Sequence, residues 1–211
     1  MKEFILIGSG GHALSCLDVI YHNGHSIYGY FDDQKINIFN SSGYNLNYLG
    51  DMDEFKKNLL KYDNVFFLIA FGAHNKIRNR ADLYKNLVTV GCNFCPIVSS
   101  TSYISESSFV GPGTIVMHQC LINIGVEIKE NCIINSGSII DHQSYIGENS
   151  IISTNVTING NVKIGKNSFV GSGAIIFNNI NIGENVVISA GSVVRENIPN
   201  NKKFINENLS K

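Results

Sequence analysis

"IKENCIINSGSIIDHQSYIGENSII", residues 128–152, has isoleucine at 128, 134, 140, 146 and 152, and this step of six decides the fold. Extended both ways, it runs from Ile104 through Val110, Val116 and Ile122 to Ile182, Ile188 and Val194, sixteen positions that are all Ile or Val. Two residues before nearly every one stands a small or β-branched residue, among them Thr114, Cys120, Cys132, Ser138, Ser144, Ser150, Val156, Val162, Ser168 and Ala174; Ile180 is the large exception. Residues two apart on an extended chain point to the same side, so each hexapeptide turns one large and one small side chain to a common interior. Such a repeat builds a narrow parallel β-helix.

A second period of 18 lies on the first: Ile146-Gly-Glu-Asn-Ser, Ile164-Gly-Lys-Asn-Ser and Ile182-Gly-Glu-Asn-Val, with Asn131 extending the column Asn149, Asn167, Asn185. Three hexapeptides therefore make one coil of a triangular prism. Coils stacked about 4.8 Å apart give a prism about 25 Å long. The glycines and asparagines of this column are expected at one corner, in the left-handed backbone conformations that both residue types tolerate. The two open sheet edges need covers, which the N-terminal domain and the polar tail from Asn197 to Lys211 can supply.

Composition restricts the partners. The chain has 211 residues, 44% hydrophobic and 16% charged, with a net charge of −1 and no basic cluster, which argues against nucleic acid and anionic membranes. No apolar run reaches the roughly 18 residues of a membrane span. The opening MKEFILIGSGGHA is broken by glycines too soon for a signal peptide, so a cytoplasmic protein without membrane insertion is expected. Five cysteines in such a chain read as reduced thiols, and Cys92-x-x-Cys95 lacks the second pair of a zinc site, so no metal is expected.

The chain divides into residues 1–97, the prism at 98–196 and a tail at 197–211. Before the repeats, Phe4–Ile7 reads as a strand entering Gly8-Ser-Gly-Gly-His12-Ala, followed by a helix through Leu17 and Ile20 and a strand Ile27–Phe31 ending in Asp32-Asp33. Asn64–Gly72 reads as a buried parallel strand and Ile77–Leu87 as a helix. This is a small Rossmann-like α/β domain with its ligand at the carboxyl ends of the strands, where Gly8 to His12, Asp32-Asp33 and Gly72 lie. Gly8-x-Gly10-x-x-Ala13 with acidic residues about 20 positions on satisfies a relaxed dinucleotide fingerprint, which alone would suggest an NAD-dependent oxidoreductase. The domain has too few strands for two mononucleotide-binding halves, and His12 stands where a helix start would meet a phosphate, so one nucleoside diphosphate fits better.

"GSGGHA" at 8–13 followed by "NSGSIIDHQSYIGENS" at 135–150 resembles the bacterial sugar acetyltransferases that include the UDP-4-amino-sugar N-acetyltransferase of bacillosamine synthesis and the sialic acid O-acetyltransferases. The likeness covers residues 3 to about 195. It implies a left-handed β-helix, a homotrimer with sites between neighbouring prisms, acetyl-CoA as donor and a nucleotide-linked amino sugar as acceptor. It places the catalytic base on His142 and an amide-bearing residue near the acceptor amine on Asn135. The nucleotide contacts fall on Gly10, Gly11, His12, Asp32, Asp33 and Gly72, and the acetyl-CoA contacts on Ile151, Ser172 and Ala190. The implied activity is N-acetylation of a UDP- or dTDP-linked 4-amino-4,6-dideoxy sugar for surface glycans, with O-acetylation of a sialic-acid-type sugar as the alternative.

The chemistry agrees with that reading. A sugar amine attacking a thioester must lose a proton, and an imidazole with an ordinary pKa near 6.5 accepts it at neutral pH without a metal. Where relatives often carry a carboxylate after the histidine, this chain has Gln143, which can accept a hydrogen bond but cannot balance an imidazolium; Asp141 is the other candidate partner. The usual Gly-x-Pro ending is absent from the tail. A metal-dependent β-helix hydratase would need three imidazoles at a subunit boundary, and this prism has only His118 and His142, which do not share an 18-residue column.

Overall fold

The computed structural model describes residues 1–35, 38–58, 62, 64–72 and 74–205. The N-terminal unit runs β1 (Glu3–Ile7), α1 (Gly11–His22), β2 (Ser26–Phe31), α2 (Ile38–Ser41), β3 (Tyr48–Gly50), α3 (Met52–Asn58), β4 (Phe66–Ile69), a 3₁₀ turn and α4 (Ile77–Thr89). Its four strands are all parallel, in the order β3-β2-β1-β4. That is half of a doubly wound sheet. The strand expected over Asn64–Gly72 is shorter, and β3 with its flanking short helices had no clear signal in the sequence.

Alternation along β1 and β4 assigns two cores. Ile5, Ile7, Phe67 and Ile69 pack with Phe55 and Leu87 on one side. Phe4, Leu6, Leu68 and Ala70 pack on the other against Ala13, Cys16, Leu17 and Ile20 of α1, a spacing of three and four that gives the helix one apolar stripe. This second core continues into the prism through Ile97, Ile115, Ile133 and Ile151, so one hydrophobic cluster spans both units.

From Ile97 the chain winds as strands of two residues, each as far as Ile175–Ile176 paired in parallel register with the strand 18 residues on, in sheets of seven, six and five strands. The first face begins with Ile97–Val98, the second with Tyr103–Ile104 and the third with Phe109–Val110. The N-terminal domain covers the first face. The Ile and Val of the six-step fill the interior, wholly buried from Val116 to Ile176. Buried hydroxyls in the small inward slots are satisfied across coils: Ser138 Oγ donates to Ser153 O at 2.8 Å and Thr114 Oγ1 to Lys129 O at 2.7 Å, while Thr114 Oγ1 accepts Cys132 N–H at 2.8 Å.

One expectation needs correction. Asn131, Asn149, Asn167 and Asn185 do take the left-handed conformation, with φ of 54°, 61°, 57° and 54°. Gly147 and Gly165 in the same corner do not. They lie against the next coil, where a Cβ would stand 2.5 Å from Lys166 N and 2.6 Å from Glu184 N. Asparagine supplies the turn and glycine the close approach.

The tail extends the prism: Ile198 bridges to Ile182, and Lys203–Phe204 adds a strand to Val187–Ile188. Its last six residues, 206–211, lie outside the described residues.

Candidate active site

Two places converge chemically useful groups. The first is a cleft of about 540 Å³ at the carboxyl ends of β1 and β2, lined by Gly8, Ser9, Gly10, Asp32, Asp33 and others. Gly8 makes its turn with φ of 108° while its N–H donates to Phe31 O at 2.8 Å. Asp32 is held firmly: Oδ2 accepts Ser9 N–H at 2.7 Å and Ser9 Oγ–H at 2.8 Å, and Oδ1 accepts Gln34 N–H at 3.0 Å. Asp33 Oδ1 accepts Met52 N–H at 3.3 Å. Gly11 and His12 open α1, where, as at any helix start, the first N–H groups have no partner within the helix. Lys76 and Asn79 also belong to this cleft, and no motif in the sequence marks them.

Gly11, His12 and Gly72 do not line this cleft. A Cβ on Gly72 would stand 2.3 Å from Ile133 Cδ1 of the prism and 3.8 Å from His12 Cδ2, so both residues sit at the junction of the two units. The Nε2 of His12 is buried without a hydrogen-bond partner. Burial, reinforced by the Arg80 guanidinium, lowers its pKa to about 4, which leaves a neutral ring at neutral pH. Arg80, itself wholly buried, donates from Nη1 to the carbonyls of Ile69 and Phe71 and so fixes the strand end that carries Gly72.

The second place is the prism corner between the second and third faces, opposite the face that bears the N-terminal domain. His142 stands there with 51% of its side chain exposed. Asp141 Oδ1 accepts the His142 backbone N–H at 2.8 Å and the Asn123 amide at 2.7 Å, and Oδ2 lies 3.9 Å from His142 Nε2. These contacts hold the Asp141 carboxyl below its ordinary range, the His142 N–H first and the Asn123 amide with the imidazole after it. Gln143 takes a left-handed backbone with φ of 56°, and its Cγ lies 3.6 Å from where a Gly125 Cβ would stand, over the preceding coil. The ring of His142 instead lies over Gly160 in the following coil.

Asn135 occupies the previous corner, between the first and second faces, and its Oδ1 accepts the Ser136 N–H at 2.9 Å. The strand Ile139–Ile140 separates it from His142, so one chain does not bring the two together. Ser172 and Ala190 are exposed at the same corner as Asn135, further along the prism. Ile151 is different: it is buried beneath the N-terminal domain with its N–H given to Ser168 O. Among the described residues no cluster of three or more His, Cys, Asp or Glu could hold a metal ion, and no helix is long and apolar enough to cross a membrane.

Comparison with known proteins bears out the resemblance read from both motifs. Residues 3–84 match the PglD N-terminal domain family. Residues 125–160 and 143–178 match the bacterial transferase hexapeptide (six repeats), and residues 161–196 the hexapeptide repeat of succinyl-transferase. The chain superposes on the acetyltransferase domain of PglB from Neisseria gonorrhoeae FA1090 in complex with acetyl coenzyme A with a TM-score of 0.83 at 24% identity, over 94% of this chain and 93% of that one. It superposes equally, with a TM-score of 0.83 at 24% identity, on PerB from Caulobacter crescentus in complex with CoA and GDP-perosamine, over 95% of this chain and 92% of that one. An uncharacterized protein of Acanthamoeba polyphaga mimivirus is 30% identical over 112 residues, 53% of this chain; the chain spans only 20% of that protein's length. The fold is thus the expected one, a small α/β domain followed by a left-handed β-helix of hexapeptide repeats.

Proposed function

We propose that this chain is an acetyl-CoA-dependent N-acetyltransferase acting on the amino group of a UDP- or dTDP-linked 4-amino-4,6-dideoxy sugar, in the cytoplasm, for surface glycans. The observation that carries it is the pairing of a single-nucleotide cleft, with Asp32 held by three hydrogen bonds, and an exposed histidine on a transferase prism. The sugar amine attacks the thioester carbonyl; a C–N bond forms and the C–S bond breaks. His142 takes the amine proton and returns it to the departing thiolate, leaving acetamide and free thiol. Asn135 orients the acceptor, and the corner carrying Ser172 and Ala190 receives the acetyl donor.

A homotrimer with shared sites, which the resemblance implies, is part of this proposal, and the layout supports it. The nucleotide domain covers the first face and His142 stands at the opposite corner, so a sugar held by one chain meets the His142 of a neighbour. The second face supports this reading: Tyr103, Leu121, Ile139 and Ile175 expose an apolar column beside His142, suited to covering by a second copy. The cleft takes one nucleoside diphosphate.

Calorimetric titration with UDP, dTDP, GDP and NAD tests the class. A diphosphate binding while NAD does not, followed by acetyl-CoA-dependent release of thiol with the matching amino sugar, is the expected result. Tight binding of NAD with no thiol release would return the chain to the dinucleotide class.

A further inference from the structure

The 18-residue period places Asn123 beside Asp141 in the preceding coil and Gly160 beside His142 in the following one. A Cβ on Gly160 would stand 2.4 Å from both Cε1 and Nε2 of His142 and 3.0 Å from Nδ1, so the imidazole fills the space that any side chain at 160 would need, and such a side chain would displace the ring. The turn itself does not ask for glycine there. Gly160 is absent from the residues with positive φ, and the same column holds Glu106, Ile124, His142, Asn178 and Glu196 in the other coils. Glycine occurs in this column only beneath the histidine.

On the other side, Asn123 Nδ2 donates to Asp141 Oδ1 at 2.7 Å, the oxygen that also accepts the His142 N–H. Two donors on one oxygen fix the carboxylate's torsion and turn Oδ2 to the ring, 3.9 Å from Nε2. Gln143, lying over Gly125 in the preceding coil, forms no hydrogen bond to the ring.

We infer that Gly160 and Asn123 are positioning residues for the His142 base: Gly160 provides the seat that sets the ring's direction, and Asn123 holds Asp141 as the ring's anionic partner. This rests on the reading of His142 as general base. Without the seat the ring swings away from the acceptor amine; without Asn123 the carboxylate is held by the His142 N–H alone and Oδ2 can turn from the ring.

The test is steady-state kinetics with acetyl-CoA and whichever of the UDP-, dTDP- or GDP-linked 4-amino-4,6-dideoxy sugars turns over fastest, on Gly160→Ala and Asn123→Ala, each in wild-type and His142→Ala backgrounds. Gly160→Ala should lower kcat about 10²-fold, the scale of a 1 Å misplacement, with KM for both substrates unchanged. Asn123→Ala should lower kcat several-fold with KM for both substrates unchanged. Neither change should lower the residual rate of His142→Ala further, because each acts only through the ring. The His142 Cε1–H resonance gives a readout independent of rate and should shift in both variants. Wild-type kcat in Gly160→Ala, equal losses in the His142→Ala background, or an unmoved resonance would overturn the inference. A His142→Ala enzyme with wild-type kcat would overturn the base assignment beneath it, a separate result.

Discussion

His118 Nε2 lies 2.9 Å from Oδ2 of Asp18, a residue of α1 one hundred positions earlier, and its Nδ1 lies 2.7 Å from Ser99 Oγ. Beside it, Asn23 Nδ2 donates to Val98 O at 2.6 Å and Asn23 Oδ1 accepts Ser100 N–H at 3.0 Å. The end of the first helix is thereby pinned to the first two coils. Both ring nitrogens of His118 are engaged in this joint, which separates it from the role proposed for His142. His118→Ala should therefore lower stability by about 1 kcal/mol, the scale of a hydrogen bond with a half-exposed partner, while kcat stays within a few-fold of wild type. Thermal melts beside steady-state rates decide this; a kcat collapse with an unchanged melt would put His118 in the reaction.

The contrast is His142. His142→Ala and His142→Asn should lower kcat about 10² to 10⁴-fold, the usual contribution of a general base, with little change in KM for either substrate. Because His142 is exposed and outside the prism core, its melting temperature should stay near that of wild type. A selective rise in KM would make it a binding group instead.

The partner of the ring is tested by charge. Asp141→Asn should remove the anion facing Nε2 and lower kcat about tenfold with KM unchanged. Gln143→Glu should change kcat little, because residue 143 lies over Gly125 and away from the ring. The reverse pattern, a large change from Gln143→Glu and none from Asp141→Asn, would assign the role to residue 143.

Legibility followed the periods. The interior of the prism was written in the six-step of Ile and Val, because each position has one inward direction and one volume to fill. The period of 18 held more than was first taken from it: adding 18 to 142 gives Gly160, and subtracting 18 from 141 gives Asn123. The joint of His118 with Asp18 had no such signal, since docking of two units depends on surfaces and no spacing encodes it. The burial of Ile115, Ile133 and Ile151 was hidden for the same reason: outward residues of a strand read as exposed until something packs on them. A prism cut at residue 97 would bare this apolar face, so variants in the cleft are the better probe of nucleotide binding.

The two roles at the Asn-Gly corner separate by substitution. Gly165→Ala drives a Cβ to 2.6 Å from Glu184 N and Gly183 C, backbone atoms held in the next rung, and should cost about 3 kcal/mol, the upper end of overpacking. Asn185→Gly, at φ of 54°, keeps the left-handed turn and should cost well under 1 kcal/mol, while Asn185→Ala should cost about 1 to 2 kcal/mol for the conformation alone. Denaturant melts rank the three. A Gly165→Ala protein as stable as Asn185→Gly would mean that the coils can part there without penalty.

Acid stability should report on His12. Burial, then the charge of Arg80, lowers its pKa from 6.5 to about 4 in the folded protein. Between those values the unfolded chain binds a proton that the folded one does not, so stability rises with pH across this window. The contribution is complete above about pH 6.5, falls away as the pH drops, and stops falling near pH 4, where the folded protein takes up the proton as well. The full span corresponds to about 3 kcal/mol at most. His25, lowered chiefly by burial, adds a slope of the same sign that persists when His12 is replaced. Asp141, whose pKa is depressed, loses its contribution only at lower pH, through the carboxylate range. Urea midpoints at half-unit steps from pH 4 to 7 should thus fall steeply toward acid in the wild type and less steeply in His12→Gln. Parallel curves for the two proteins would show that His12 gains its proton freely in the folded state, and the buried, neutral ring at the junction would have to be abandoned.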